Sequence, residues 1–160
     1  MAIYKSAQVI AGSPIAAPMH GATMTAVGSF NLTAALAVND TVQLLTIPNG
    51  MAIAGLTLDA TEIDSNATPT FAGLVEDTAA TQVFIPTATA VGHGANGSVT
   101  FQGVGGSTGY TYAVSGTGGN TGSTTLQFKC TAIAATSVLG TLTLAVELQE
   151  LSGAAGAPLA

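Results

Sequence analysis

The sequence predicts an all-β chain, an antiparallel β-sandwich of jelly-roll type with an extended N-terminal arm. Three observations carry that expectation. About eight short stretches alternate apolar with polar residues, and turn signals separate them at regular spacing. No stretch carries a convincing helical period. Hydrophobic residues make up 48% of the chain, yet tryptophan is absent and aromatics reach only 5%, so Val, Ile, Leu and Ala must build the core. At 160 residues the chain suits one domain that buries such a core without staples. The divisions read from it are an arm at 1–22, a sandwich at 23–151 and a small-residue tail at 152–160.

The arm is read as extended because Gly12, Pro14, Pro18 and Gly21 oppose a helix. Ile3, Tyr4, Val9, Ile10 and Ile15 would be wasted in solvent, so they are the candidate contact residues of an arm that docks. From Thr23 to Thr33, alternation sets Val27, Ser29, Asn31 and Thr33 against Gly28, Phe30 and Leu32, the pattern of a half-buried strand. Ala34 to Ala37 is compatible with a helical turn, and Asn39-Asp40 then turns the chain. Thr41–Ile47 and Met51–Asp59 read as strands joined by Pro48-Asn49-Gly50 into a hairpin, with Ala52, Ala54, Leu56 and Leu58 sharing one face. Thr61 to Asn66 reads as a loop. Pro69–Glu76 and Gln82–Ile85 follow as strands across a turn at Asp77 to Thr81. Val99 and Phe101 mark a short strand. Two glycine loops, GVGGSTG at 103–109 and GTGGNTG at 116–122, then bracket Tyr110, Tyr112 and Val114. In the last third, Leu126, Phe128, Cys130 and Ala132 share one face, as do Leu142, Leu144, Val146 and Leu148 beyond a turn at Gly140.

Charge excludes several classes of function. Only 6% of residues are charged and the net charge is −6, with Lys5 and Lys129 the two fixed cations. Nucleic-acid binders neutralise phosphates with about 6–10 cationic contacts, so no nucleic-acid partner is expected. Nor is a membrane span or a secretion signal. The single Cys130 rules out an internal disulfide framework; on an apolar strand face beside Phe128, it reads as a small buried hydrophobe rather than a nucleophile.

Asp59, Glu62, Asp64, Glu76 and Asp77 are the candidate oxygen ligands for a cation such as Ca²⁺, but their spacing does not match an EF-hand loop, and charged loops are more often simply solvated. As a glycosidase pair they would lack aromatic sugar platforms. His20 and His93 sit in glycine-flanked segments with no nucleophile elbow nearby. Neither glycine loop carries a lysine or opens a helix, which argues against a phosphate cradle. The expectation is a non-enzymatic protein without a cofactor. With so little charge to blunt the sheet edges, it should cover them by self-association.

Four stretches, NLTAALAVNDTVQLLTIPNGMAIAGLTLDATEID, ATPTFAGLVED, GYTYAVSG and TLQFKCTAIAATSVLGTLTLAVELQEL, carry a resemblance covering roughly Phe30 to Leu151. A strand ending Leu-x-x-Pro-x-Gly at Leu45 to Gly50, an acidic strand end at Asp59 to Asp64, and a Gly140-Thr141-Leu142 turn between the last two strands together resemble the capsid decoration, or cement, proteins of tailed bacteriophages. That resemblance implies a jelly-roll-like, trimeric protein bound to the major capsid protein on the outer surface of the virion. The alternative is a receptor- or carbohydrate-binding β-module of a tail, spike or adhesin, with the glycine loops, Tyr110 and Tyr112 as its contact surface. The scarcity of aromatics speaks against it.

Overall fold

The computed structural model describes residues 1–12, 23–48, 51–80, 82–89, 91–92, 97–102, 112–113 and 123–150. Along the chain run β1 (Ile3–Lys5), α1 (Ala7–Ala11), β2 (Thr23–Asn31), β3 (Thr41–Pro48), β4 (Met51–Ala60), β5 (Ala72–Asp77), β6 (Val83–Thr89), β7 (Gly97–Gln102), β8 (Tyr112–Ala113), β9 (Ser123–Ala132) and β10 (Thr141–Glu150). They form two sheets. One has the order β1-β3-β9-β5-β6; the other has the order β2-β10-β4-β7, with β8 also paired to β4. The pairings are antiparallel except for β1 on β3, which is parallel.

The apolar faces of the two sheets meet in one core. Leu44, Leu45, Ile47, Ile53, Leu58, Leu126, Leu142, Leu144, Val146 and Leu148 have no exposed surface. Among the described residues, Phe71, Phe84 and Phe128 are its largest fully buried side chains. Phe71 and Phe128 stack with ring centroids 5.7 Å apart, an offset geometry that aromatic quadrupoles favour. The alternation read for β2, β9 and β10 holds: Val27, Ser29 and Asn31 are exposed while Gly28 and Leu32 are buried, and Leu126, Phe128 and Cys130 enter the core with Leu142 to Leu148 opposite.

Several local expectations are corrected. The strands flanking Pro48 do not form a hairpin: β3 lies between β1 and β9 in one sheet, and β4 bonds to β10 and β7 in the other. The chain thus passes from one sheet to the other between β3 and β4, because turn chemistry reverses a chain without choosing its bonding partner. In β4 the ladder steps from Glu147–Gly55 to Leu148–Ile53, leaving Ala54 as an extra residue. This bulge shifts the alternation by one, so Met51 and Ile53 join Leu56 and Leu58 in the core cluster, whereas Ala52 is buried outside that cluster and Ala54 is half-buried. A matching step in β3 passes over Leu44 and lets both Leu44 and Leu45 be buried. No helix forms at 34–37. There the Asp40 amide donates to the Ala37 carbonyl at 3.0 Å, and Asn39 takes a positive φ of 69°. The turn between β5 and β6 is a true hairpin.

The N-terminal segment is not simply an extended arm. It contains the helix α1, whose N-cap Ser6 accepts the Val9 amide at 3.3 Å and whose C-cap Gly12 adopts φ 64°. Ser6 supplies the oxygen that a helix start needs, and glycine enters the left-handed region without a Cβ penalty. Residues 13–22 and 151–160 lie outside the described residues.

Candidate functional site

The five acidic candidates do not come together. Asp64, fully buried, lies at the loop before β5, whereas Glu76 and Asp77 lie at that strand's far end, about 17–20 Å away at a normal rise. Asp59 and Glu62 are exposed. Among the described residues no group of three or more His, Cys, Asp or Glu side chains is placed to hold a metal ion.

Asp64 instead organises loops. Its Oδ1 accepts the amides of Asn66 (3.2 Å) and Thr136 (3.0 Å), and its Oδ2 those of Thr70 (2.9 Å), Phe71 (3.2 Å) and Ala135 (2.9 Å). Burial alone would raise the carboxyl's pKa; the amides of Thr70, Thr136, Ala135 and Asn66 outweigh it and hold the group well below the usual carboxylate range. Its oxygens are committed to amides that would otherwise be unpaired. Glu76, also buried, accepts from Gln127 Nε2 at 3.1 Å and lies 3.8 Å from Lys129 Nζ. Asp77 Oδ1 accepts the Gln82 amide at 3.1 Å, closing the β5–β6 turn.

Around Asp64 the connections at 32–40, 61–71, 91–92 and 133–140 converge on one end of the sandwich. The Ile63 amide donates to the Gly92 carbonyl at 2.7 Å, the Val138 amide to the Ile63 carbonyl at 2.8 Å, and the Leu32 amide to the Gly140 carbonyl at 2.8 Å. These loops line a half-open, largely apolar pocket of about 260 Å³ formed by Ala35, Leu36, Ala37, Ile63, Phe71, Ile133, Ala134 and Ser137. Beside it Val38, Ile133, Val138 and Leu139 are exposed, Leu139 by 59%. Such a surface can make contact through apolar burial without any reacting group.

The second surface is the N-terminal segment. β1 extends the sheet beyond β3, pairing Ile3, Tyr4 and Lys5 with Thr41, Val42 and Gln43. Beyond β1, the Ser6 amide donates to the Gln43 carbonyl (2.9 Å) and Ser6 Oγ to the Leu44 carbonyl (2.8 Å). Gln8 makes a two-way contact with Thr46: its Oε1 accepts the Thr46 amide at 2.9 Å and its Nε2 donates to the Thr46 carbonyl at 3.4 Å. Asp40 accepts the amides of Ala2 and Ala37, which hold its carboxyl below the ordinary range. Of the predicted contact residues, Tyr4 packs on Phe30 of β2 with ring centroids 5.8 Å apart. Val9 is half-buried, while Ile3 and Ile10 remain 55% and 72% exposed. Ile15 lies outside the described residues.

Asp40, Ser6 and Gln8 were not singled out by sequence. The signal for Ser6 was present as a capping serine six residues before Gly12; that for Gln8 was not, since its partner Thr46 is 38 residues away. Cys130 is buried, and burial, seconded by the negative charge of Asp40, pushes its thiol up to about 11. His20, His93, Tyr110 and both glycine loops lie outside the described residues, as does the side chain of Tyr112. Among the described residues no helix is long and apolar enough to cross a membrane.

Fold and surfaces together define an all-β sandwich that presents aliphatic side chains at one end and along one edge. No protein-family model matches the chain, and no curated protein matches it. Among solved structures, its fold is similar to that of a chain in the cyanophage Pam1 capsid asymmetric unit, with a TM-score of 0.64 and 24% identity over 88% of this chain and 95% of that one. It is also similar to a chain from the capsid of Ralstonia phage GP4, with a TM-score of 0.70 and 16% identity over 93% of this chain and 98% of that one. At these identities the likeness is one of fold.

Proposed function

We propose that the protein is a structural component of a phage virion, decorating the outside of the head and stabilising it by binding across neighbouring major capsid subunits. The observation that carries this reading is the fold shared with chains of two phage capsids over 95% and 98% of their lengths. Strand pairing supports reading the sandwich as a jelly roll. With β1 and β8 set aside, eight strands remain, and the pairs β2–β10, β3–β9, β4–β7 and β5–β6 are those of one long hairpin wound onto itself.

Cementing requires contact rather than chemistry, and we read the chain as non-enzymatic and without a cofactor. A body that touches several capsid subunits raises the effective concentration of each further contact, and binding to the assembled shell alone stabilises the shell by linkage. The exposed aliphatics at the loop end and the scarcity of charge suit such contacts. Self-association as a trimer, which would cover sheet edges that carry almost no charge, belongs to the same proposal.

The test is co-sedimentation of the purified protein with mature shells lacking it and with unexpanded shells. Saturable binding at a fixed copy number per capsomer, with a rise in shell melting temperature, is expected. Absence of binding to either shell would overturn the proposal.

A further inference from the structure

We infer that the strip of β3 from Asp40 to Thr46 is a receptor for an N-terminal segment, and that in the assembled protein a second copy of this chain supplies residues 1–12 to it. The inference rests on the self-association proposed above. Recognition along the strip runs largely through backbone: Ala2 and Thr41, Ser6 and Gln43, Ser6 and Leu44, and Gln8 and Thr46 are joined by bonds in which at least one partner is a main-chain group of β3. Strand addition of this kind reads an extended segment and a matching hydroxyl and amide. It is indifferent to which copy donates them.

Two further features favour exchange. No residue of α1 is buried, and Ile3 and Ile10 stay largely in water, so the segment holds to its own sandwich by the β3 edge and the Tyr4–Phe30 contact while leaving these two aliphatics uncovered. In addition, ten residues, 13–22, connect α1 to β2. Extended, ten residues reach up to about 33–36 Å, enough to pass from one copy to an adjacent one. Seated on a neighbour, the segment would carry Ile3 and Ile10 into the contact between copies.

The test uses the full chain carrying Lys5→Cys and Gln43→Cys, residues in register on β1 and β3. Neighbouring strands lie about 4.8 Å apart, within the Cα separation of about 4.4–6.8 Å that a disulfide spans. Cys130 is buried, and the single-cysteine variants serve as controls. Light scattering first fixes the oligomeric state; the oxidised protein is then run on a non-reducing denaturing gel. Covalently joined chains from the double variant, absent from the controls, are expected. A monomer in light scattering would overturn self-association and this inference with it. An oligomer whose disulfides close only within chains, or do not form in this pair or in Ile3→Cys with Thr41→Cys, would overturn exchange alone.

Discussion

The Ala135 amide donates to Asp64 Oδ2 at 2.9 Å across 71 residues of chain, tying the connection that leaves β4 to the one that enters β10. The same carboxylate takes the amides of Thr70 and Phe71, so one buried charge sets the geometry of two loops and of the pocket wall that Phe71, Ile133 and Ala134 build.

Asp64→Asn should therefore loosen the loop end. An amide has one acceptor oxygen and sets a donor against amides that are themselves donors, so buried groups lose partners at a cost well above that of an ordinary hydrogen bond. The expected fall in melting temperature is about 5–10 °C for a domain of this size. An unchanged midpoint by differential scanning calorimetry would show that the carboxylate does not hold the loops.

Acid should act through the same group. The folded-state pKa of Asp64 lies below its unfolded value, and that of Asp40 is also lowered. Their contribution is therefore complete above the unfolded carboxylate value of about 3.9 and is lost as pH falls through the folded values. Urea midpoints should change little from pH 7 to 5 and drop below pH 4, and the drop should be shallower for Asp64→Asn. Parallel curves for variant and parent would contradict this.

Gly73 faces the core where a Cβ would fall within the ring of Phe128 and 2.7 Å from the Lys129 carbonyl oxygen. Gly73→Ala should cost about 1–3 kcal/mol through overpacking. Combined with Phe128→Leu, which removes the obstructing ring, it should cost less than the sum of the two single changes; chemical denaturation of both single variants and the double variant separates this from an unspecific effect of alanine.

Ser6→Ala removes both the cap of α1 and the hydroxyl on Leu44. The local cost is about 0.5–2 kcal/mol. Hydrogen exchange should quicken for the amides of Val9 and Ile10 while those of β9 and β10 keep their protection. Uniform loss across the sheets would mean that the segment is part of the global folding unit.

Cys130, buried with its thiol pushed up to about 11, should resist alkylation. At pH 8 its thiolate fraction is lower than that of a free thiol by more than about a hundredfold, so iodoacetamide should modify it only on unfolding. Rapid labelling of the native protein would contradict the burial.

Alternation by itself determined the class of this protein, because a period of two places Leu126, Phe128 and Cys130, and again Leu142 to Leu148, on single faces that water must not reach. It also set the outward row Val27, Ser29 and Asn31 and the hairpin of β5 and β6, where the partners are local. What tertiary structure decided is everything that depends on a partner distant in sequence. Turn residues at Pro48 could not say that β3 and β4 belong to opposite sheets, since the competing partners, β9 and β10, come roughly 80 to 90 residues later. The bulges at Leu44 and Ala54 were illegible for the same reason: an extra residue appears only against a strand that lacks it. Asp64 looked like a solvated loop acid, and only folding brings the amides of Ala135 and Thr136 to it. The N-terminal segment became a strand and a capped helix rather than a plain arm because β3 offers it an edge, and a single strand has no use for its hydrogen bonds until that edge exists.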